Sequence, residues 1–415
     1  MNVEIITIGD ELLIGQVVDT NSAWMGQVLG DEGFHVVHKE TVGDVESDIL
    51  QACDEALKRS PIVLVTGGIG PTKDDITKKT LCKYFNTRLC FSEEVLKNIE
   101  DLFQKSGKAM NPLTHDQAYV PEAATVIQNR VGTAPITWFE RDGKILVSFP
   151  GVPYEMKWAM KEEILPRLKK RFRQDLYIKH QTLWVSGYTE SALAMQLETF
   201  EKELPSFVTL AYLPTPGLIR LRLSAYYSNE SAVESAMLEQ SLKLRDLLKG
   251  NILAEEDKPI QEIIGEVLRS KKLTLGTAES CTGGKIAEMI TAIPGSSDYF
   301  VGGIVSYSNN VKHQILDVSN LSLDTYGAVS QQVVEEMVMG ALKILNCDCA
   351  VATSGVAGPG GGTPEKPVGT VWIAAAWKDK IKSQLFHFGK NREQNILRSA
   401  NMALLMLNDL LKEEE

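Results

Sequence analysis

A chain of 415 residues is too long for one ordinary core and implies two or three domains. Its 44% hydrophobic and 23% charged residues read as globular rather than disordered. A net charge of −11 argues against general nucleic-acid binding, although one pocket with a few donors can still hold an anionic nucleotide.

The start, MNVEIITIGDELL, lacks the basic flank and long apolar run of a signal peptide, and no later run reaches membrane-spanning length. Six scattered cysteines show no C-x-x-C spacing, so neither a disulfide framework nor a zinc site is expected. A cytoplasmic protein without membrane contact follows. Through residues 1–172 short β-rich runs alternate with helical stretches. VEIITIG reads as a strand, 21–32 as a helix, GFHVVHKETVG as a strand and 47–59 as a helix. PIVLVTGG is a buried strand running into a glycine-rich turn, with a helix predicted to begin near Asp74. KILVSFPGVP is a later strand, followed by a helix over 155–172.

Residues 173–253 mix strands (HQTLWVSG, LIRLRLSAYY) with helices over 189–203 and 231–249, as in a small α+β domain. The polar stretch AEEDKP, with Asp257 ahead of Pro259, marks the second boundary. Over 254–415 the α/β logic returns. A helix over 260–270 precedes LTLGTAES, and then come GGIVSYS, CDCAVATSG, GTVWIAAAW and a last helix over 392–412. The fold class is therefore α/β: two three-layer α/β domains joined by a small α+β domain.

Four segments of the last domain carry chemistry. In Ala278-Glu279-Ser280-Cys281-Thr282-Gly283-Gly284, Ser280 and Thr282 are N-cap types, and Gly283 and Gly284 allow close approach of a ligand. The free N–H groups of such a turn favour developing negative charge, yet a plain capped strand–helix turn has the same pattern. GGIVSYSNNVK delivers Tyr307 at a strand end and Lys312 at a helix start. Lys312 can serve as a base only if burial or nearby positive charge lowers its pKa; otherwise it is a solvated surface lysine, and Tyr307 a core aromatic. The run Thr353-Ser354-Gly355-Val356-Ala357-Gly358-Pro359 and its following glycines suit close approach to a nucleotide, or form an ordered crossover; no Walker A Lys follows. Arg392, after Phe388-Gly389, suits a phosphate.

Together and in this order, these segments resemble the nicotinamide-nucleotide amidohydrolase domain of CinA proteins (AESCTGG, YSN with a following Lys, the glycine loop ending in PEKPVGT, and FxGxR). Gly360 stands where family members often have Asp. The resemblance implies deamidation of nicotinamide mononucleotide, with Ser280 as nucleophile, Lys312 as base and Tyr307 as a supporting hydroxyl. Thr282, Gly283, Gly284, Thr353, Gly355, Gly358 and Arg392 would bind substrate. No cofactor is required for this step, N–H groups near Thr282 to Gly284 would hold the oxyanion, and a homodimer is implied. Cys281 is the rival nucleophile, but no histidine is placed to activate it, and His313 reads as a helix-surface residue. Cys347 and Cys349, alternate residues expected to point the same way, read as small buried residues rather than metal ligands.

In the first domain, Asp10 and Glu11 end the opening strand, Asn21 follows, and Thr66-Gly67-Gly68-Ile69-Gly70-Pro71-Thr72-Lys73-Asp74-Asp75 forms the glycine turn. Its glycines permit backbone contact with phosphate, and its acids either cap the next helix or hold a hydrated divalent cation. With Asn129-Arg130-Val131-Gly132-Thr133-Ala134-Pro135, the combination resembles the molybdopterin-binding fold of MoaB and MogA proteins. In CinA-type chains this resemblance implies metal-dependent hydrolysis of ADP-ribose, with a divalent metal cation at Asp10, Asp74 and Asp75. Two positions depart from the pattern: Ile136 replaces the usual Gly, and Asp116 a more basic residue. The middle segment resembles the small KH-like connecting domain of full-length CinA, read as a spacer. The alternative for the whole chain is a molybdopterin-binding or competence-related scaffold with vestigial sites.

Overall fold

The computed structural model describes residues 1–107, 109–172, 176–215, 218–255 and 258–412. The predicted boundary at position 173 and Asp257 of the second boundary lie outside the described residues. The chain divides into two compact units, Met1–Ile178 with Tyr226–Glu230, and Lys179–Ala225 with the part from Ser231 onward.

The first unit contains β1 (Asn2–Ile8), β2 (His35–Val42), β3 (Ile62–Thr66), β4 (Leu89–Phe91), β5 (Tyr119–Pro121), β6 (Thr125–Ile127), β7 (Ile136–Arg141) and β8 (Lys144–Phe149). Its main sheet has the order β2-β1-β3-β8-β7-β6, parallel through β8 and antiparallel thereafter; β4 and β5 pair separately. Strand alternation divides the core into two layers. Ile62 and Leu64 pack with Met25 and Leu29 of helix Thr20–Asp31, while Val63 and Val65 pack with Ile49 and Cys53 of helix Glu46–Arg59. The helix predicted near Asp74 begins at Thr77, because Asp75 folds its side chain back onto the turn instead of opening a helix. The helical run from Pro153 to Arg171 takes π geometry over Ala159–Ile164, just ahead of Pro166. Proline has no N–H for the helical ladder, so a widened turn accommodates a bond that would be missing in any case.

In the second unit, β9 (Tyr177–Val185), β10 (Val208–Thr215), β11 (Leu218–Tyr227) and β12 (Ile252–Ala254) form a sheet of order β10-β11-β9-β12, accompanied by helices Glu190–Lys202 and Glu230–Leu247. A second sheet has the order β14-β13-β15-β16-β17, built from β13 (Leu275–Glu279), β14 (Phe300–Val305), β15 (Cys349–Gly355), β16 (Thr370–Trp377) and β17 (Lys380–His387). β13 runs parallel to β14 and β15, whereas β16 and β17 are antiparallel. Cys349 and Val351 face one layer with helices Ile260–Lys271 and Arg392–Lys412, while Ala350 and Ala352 face helix Gln331–Leu345. This is the expected three-layer α/β arrangement. Cys347 precedes β15 and packs with the layer opposite Cys349, so the two cysteines do not point the same way. No helix among the described residues is long and apolar enough to cross a membrane.

Candidate active site

Interior strand β13 has parallel neighbours on both sides, and the carboxyl ends of β13, β14 and β15 lie at the same edge of the sheet. Such ends are where α/β sheets hold ligands. The ladder continues past the strands: Ser306 N donates to Glu279 O at 2.8 Å, and Ser280 N to Thr353 O at 3.0 Å. Three chain segments are thereby tied together at Ser280.

Opposite Ser280 stands Lys312, on helix Asn309–Leu316, whose start is capped by Ser308 accepting from Val311 N. Its Nζ lies 3.0 Å from Ser280 Oγ and donates to Ser306 O at 2.8 Å and Tyr307 O at 3.4 Å. Lys312 is 1% exposed and Ser280 8%, which removes the surface-lysine alternative. Burial lowers the Lys312 pKa from the ordinary 10.5, opposed only by the Cys281 sulfur. A neutral amine has two N–H bonds and one lone pair. Two carbonyls can take the bonds, leaving the lone pair for the serine hydroxyl.

Glu279, which was not expected in the site, organises the turn after Ser280. Its buried carboxylate accepts from Gly284 N at 3.0 Å, Ile286 N at 3.1 Å and Ala287 N at 2.9 Å. It thereby fills the N-terminus of helix Lys285–Thr291. Gly283 N donates to Ser280 O at 3.2 Å. The amides of Gly283 and Gly284 are thus committed within the chain, a correction to their expected oxyanion role. Both glycines have positive φ, +63° and +100°, which the turn requires. Thr282 Oγ1 and Thr353 Oγ1 share a buried hydrogen bond of 2.7 Å directly beneath.

Burial pushes the Cys281 thiol up to about 12, which disfavours a thiolate at neutral pH. His313 is occupied with Val318 O at 2.8 Å.

Tyr307 reaches outward, 62% exposed. Its hydroxyl accepts from Arg392 Nη2 at 3.2 Å, and Arg392 Nη1 donates to Gly358 O at 2.7 Å. Arg392 therefore clamps the glycine loop against Tyr307. Gly355 is demanded by packing: a Cβ there would stand 2.6 Å from Val371 Cγ2. Gly358 has φ +94°, and its Cβ would stand 2.6 Å from Val368 Cγ1. Buried Asn395 anchors the same loop by donating to Ala357 O at 3.0 Å and Gly389 O at 2.8 Å. Sequence reasoning missed Asn395, because a lone Asn inside a helix gives no local signal.

In the first unit a cleft of about 340 Å³ opens beside the glycine turn. Glu11, Asn21, Thr66 and Thr133 line it, together with Gly67, Gly68, Gly70 and Asp75. Asp10, Thr72, Asp74 and Gly132 are not among its walls. Asn21 Nδ2 donates to Gly151 O at 2.6 Å, while its buried Oδ1 has no partner among the described residues. Thr66 Oγ1 donates to Pro150 O at 2.8 Å. A Cβ on Gly67 would stand 2.1 Å from Ile8 O, and on Gly68 2.2 Å from Thr77 Oγ1. At Gly132 a Cβ would stand 1.8 Å from Glu155 Oε2, so this glycine makes room for a buried carboxylate that Asn129 Nδ2 bonds at 2.7 Å. Burial raises the Glu155 pKa. Glu155 lines the cleft and was not foreseen.

The three aspartates expected to hold a divalent cation do not converge. Asp75 accepts from Gly70 N at 2.7 Å and Thr72 N at 2.8 Å, so both its oxygens cap the turn. Asp10 and Asp44 exchange backbone-to-carboxylate bonds of 3.2 and 3.3 Å. Asp74 is exposed, its carboxyl held below the usual range by Thr72. Among the described residues no three His, Cys, Asp or Glu side chains could hold a metal ion. The residues present do not fit the expected cation. Because Gly70 N and Thr72 N face Asp75, the turn does not offer those amides to phosphate either.

The family description "CinA C-terminal domain" matches residues 257–411, and "Probable molybdopterin binding domain" matches residues 4–170. A CinA-like protein of Flavobacterium psychrophilum is 43% identical over 417 residues, spanning 99% of this chain and 99% of its own. One from Cytophaga hutchinsonii is 40% identical over 410 residues, 99% of this chain and 98% of its own. A crystal structure of the competence/damage inducible protein CihA from Agrobacterium tumefaciens covers 36% of this chain and 93% of that one, at 39% identity and a TM-score of 0.36. With a MoaB/MogA-like domain first, a CinA C-terminal domain last and such similarity along its whole length, the chain belongs to the CinA family.

Proposed function

We propose that the second unit deamidates nicotinamide mononucleotide, releasing ammonia and nicotinate mononucleotide. The observation that carries this reading is the 3.0 Å approach of the buried Lys312 amine to Ser280 Oγ, with two carbonyls holding the amine. An amide yields only to an activated nucleophile and a held oxyanion. Ser280 Oγ attacks the carboxamide carbon while its proton passes to Lys312 Nζ. The carbonyl oxygen takes the negative charge. We assign the Thr282 N–H to that oxygen, since no main-chain carbonyl among the described residues accepts from it. Collapse breaks the C–N bond; Lys312 returns the proton to the leaving nitrogen, and ammonia departs. Water, deprotonated by the same amine, then cleaves the ester and restores Ser280. Arg392 and the loop it clamps through Gly358 O would receive the phosphate end.

The test is to incubate the full chain with nicotinamide mononucleotide and measure ammonia and nicotinate mononucleotide. Stoichiometric appearance of both supports the reading, and their absence overturns it in favour of a pterin-binding or competence-related scaffold. For the first unit we propose a ligand-binding cleft. Its carboxylates assemble no cation site, so no metal-assisted cleavage of ADP-ribose is derived from them.

A further inference from the structure

The glycine loop of the second unit leaves the sheet at Ala357. Up to that point its main chain stays in the ladder: Val356 N donates to Thr370 O, Gly369 N to Val356 O and Phe388 N to Gly369 O, each at 2.8 Å. Side chains take the next two carbonyls instead. Asn395 Nδ2 donates to Ala357 O at 3.0 Å, and Arg392 Nη1 to Gly358 O at 2.7 Å. Residues three apart share one face of helix Arg392–Lys412, so its first turn presents both groups to the loop.

We infer that Asn395 is a positioning residue, which fixes the Arg392 guanidinium and the glycine loop as one receptor for the phosphate of the nucleotide. This deepens the amidase reading and rests on it for the identity of the ligand. Asn395 is 1% exposed, so it acts through Arg392 and not by touching the ligand. The other hydrogen of its amide goes to Gly389 O at 2.8 Å. Gly389 lies in the turn that brings the chain from β17 into the helix. One amide thus ties the loop to the turn from which Arg392 springs. Asn391 completes that turn by accepting from Gln394 N at 3.0 Å.

An amide serving packing alone would be placed differently. Asn395 Oδ1 is buried with no partner among the described residues, and an unmet acceptor counts against folding. What the side chain contributes here is its two donated bonds, and both end on the main chain around Arg392. An arginine on its long stem loses much rotamer freedom when it grips an anion. Holding exposed Arg392 beforehand, through Gly358 O and the Tyr307 hydroxyl, removes that loss from binding. Asn395 keeps the loop carbonyls in place to do so. A guanidinium has more N–H donors than these two bonds use, which leaves others for a phosphate.

A double-mutant cycle on the full chain tests this, read by ammonia release from nicotinamide mononucleotide and by isothermal titration with nicotinate mononucleotide. Asn395→Leu should raise KM about tenfold with kcat within about threefold, and weaken titrated binding by a similar factor. In an Arg392→Gln chain the same substitution should change KM by less than about twofold, because the group it positions is gone. For nicotinamide riboside, which lacks the phosphate, kcat/KM should be alike in the unaltered chain and in Asn395→Leu. Independent effects of the two substitutions, an equal loss for nucleotide and nucleoside, or a fall in kcat at unchanged KM overturns the inference. Should Asn395→Leu fail to fold by circular dichroism, Asn395→Ala, which only shortens the side chain, supplies the same comparisons. Asn395-dependent binding of the nucleotide without ammonia release would overturn the amidase reading and support this inference. Absence of nucleotide binding to the unaltered chain would overturn both.

Discussion

Lys312 meets Tyr307 at the main chain rather than at the ring: the amine donates to Tyr307 O at 3.4 Å, while the phenol hydroxyl accepts from Arg392 at 3.2 Å. The two ends of one tyrosine thus serve different neighbours. Tyr307→Phe leaves the carbonyl in place and removes only the bond to Arg392. We expect kcat for ammonia release to stay within about threefold and KM to rise by up to about tenfold, the worth of one hydrogen bond to a charged group. A collapse of kcat by orders of magnitude would instead put the phenol at the reacting atoms.

Ser280 and Cys281 are separable by substitution. Ser280→Ala should lower ammonia release by at least about 10³-fold while the melting temperature changes little, since losing a nucleophile disables the whole scheme. Cys281→Ala should retain most of the rate, because burial keeps that thiol protonated. The reverse pattern would move the nucleophile one residue along.

Under the proposed mechanism, Lys312 sets the pH response. Its folded pKa lies below 10.5, and only the neutral amine accepts the serine proton, so kcat/KM should climb with pH through an inflection below 10.5. In the window between the folded value and 10.5 the unfolded chain binds more protons at this position than the folded chain. This residue therefore makes stability rise with pH there. Lys312→Met should abolish the inflection and cost about 10²–10⁴ in rate, the usual worth of a positioned base. A pH–rate profile and urea titrations at several pH values report the two effects separately.

Glu279 holds the turn by three main-chain N–H bonds. Glu279→Gln puts an NH2 group among donors, so we expect a loss of about 1–3 kcal/mol in urea unfolding. It should also lower kcat, as the Ser280 turn loosens, with less change in KM. Unaltered stability in this variant would show that the helix end needs no buried anion.

Strand alternation was readable because Val63 and Val65, or Ala350 and Ala352, sit in apolar runs whose two faces both needed covering. Ser280 and Lys312 were legible as residue types in order, though only the fold shows the lysine buried against the serine hydroxyl. Carboxylates resisted such reading. Asp75 and Glu279 look alike in sequence as acids beside a glycine turn, and each caps its own turn rather than a ligand or cation. An acid flanking a glycine pair at a helix start is the signal that could have found both. The contact between Gly132 and Glu155 spans distant segments and leaves no local trace. β10 alternates only weakly and β12 has three residues, so neither stood out.

The bonds from Ser280 N to Thr353 O and from Ser306 N to Glu279 O lengthen the sheet ladder into the segment that carries Ser280. Chemistry mounted this way has no joint at which to fail early. On slow heating, loss of the proposed ammonia release and loss of β-sheet circular dichroism should therefore share one midpoint, and that activity should persist until the strands beside Ser280 part.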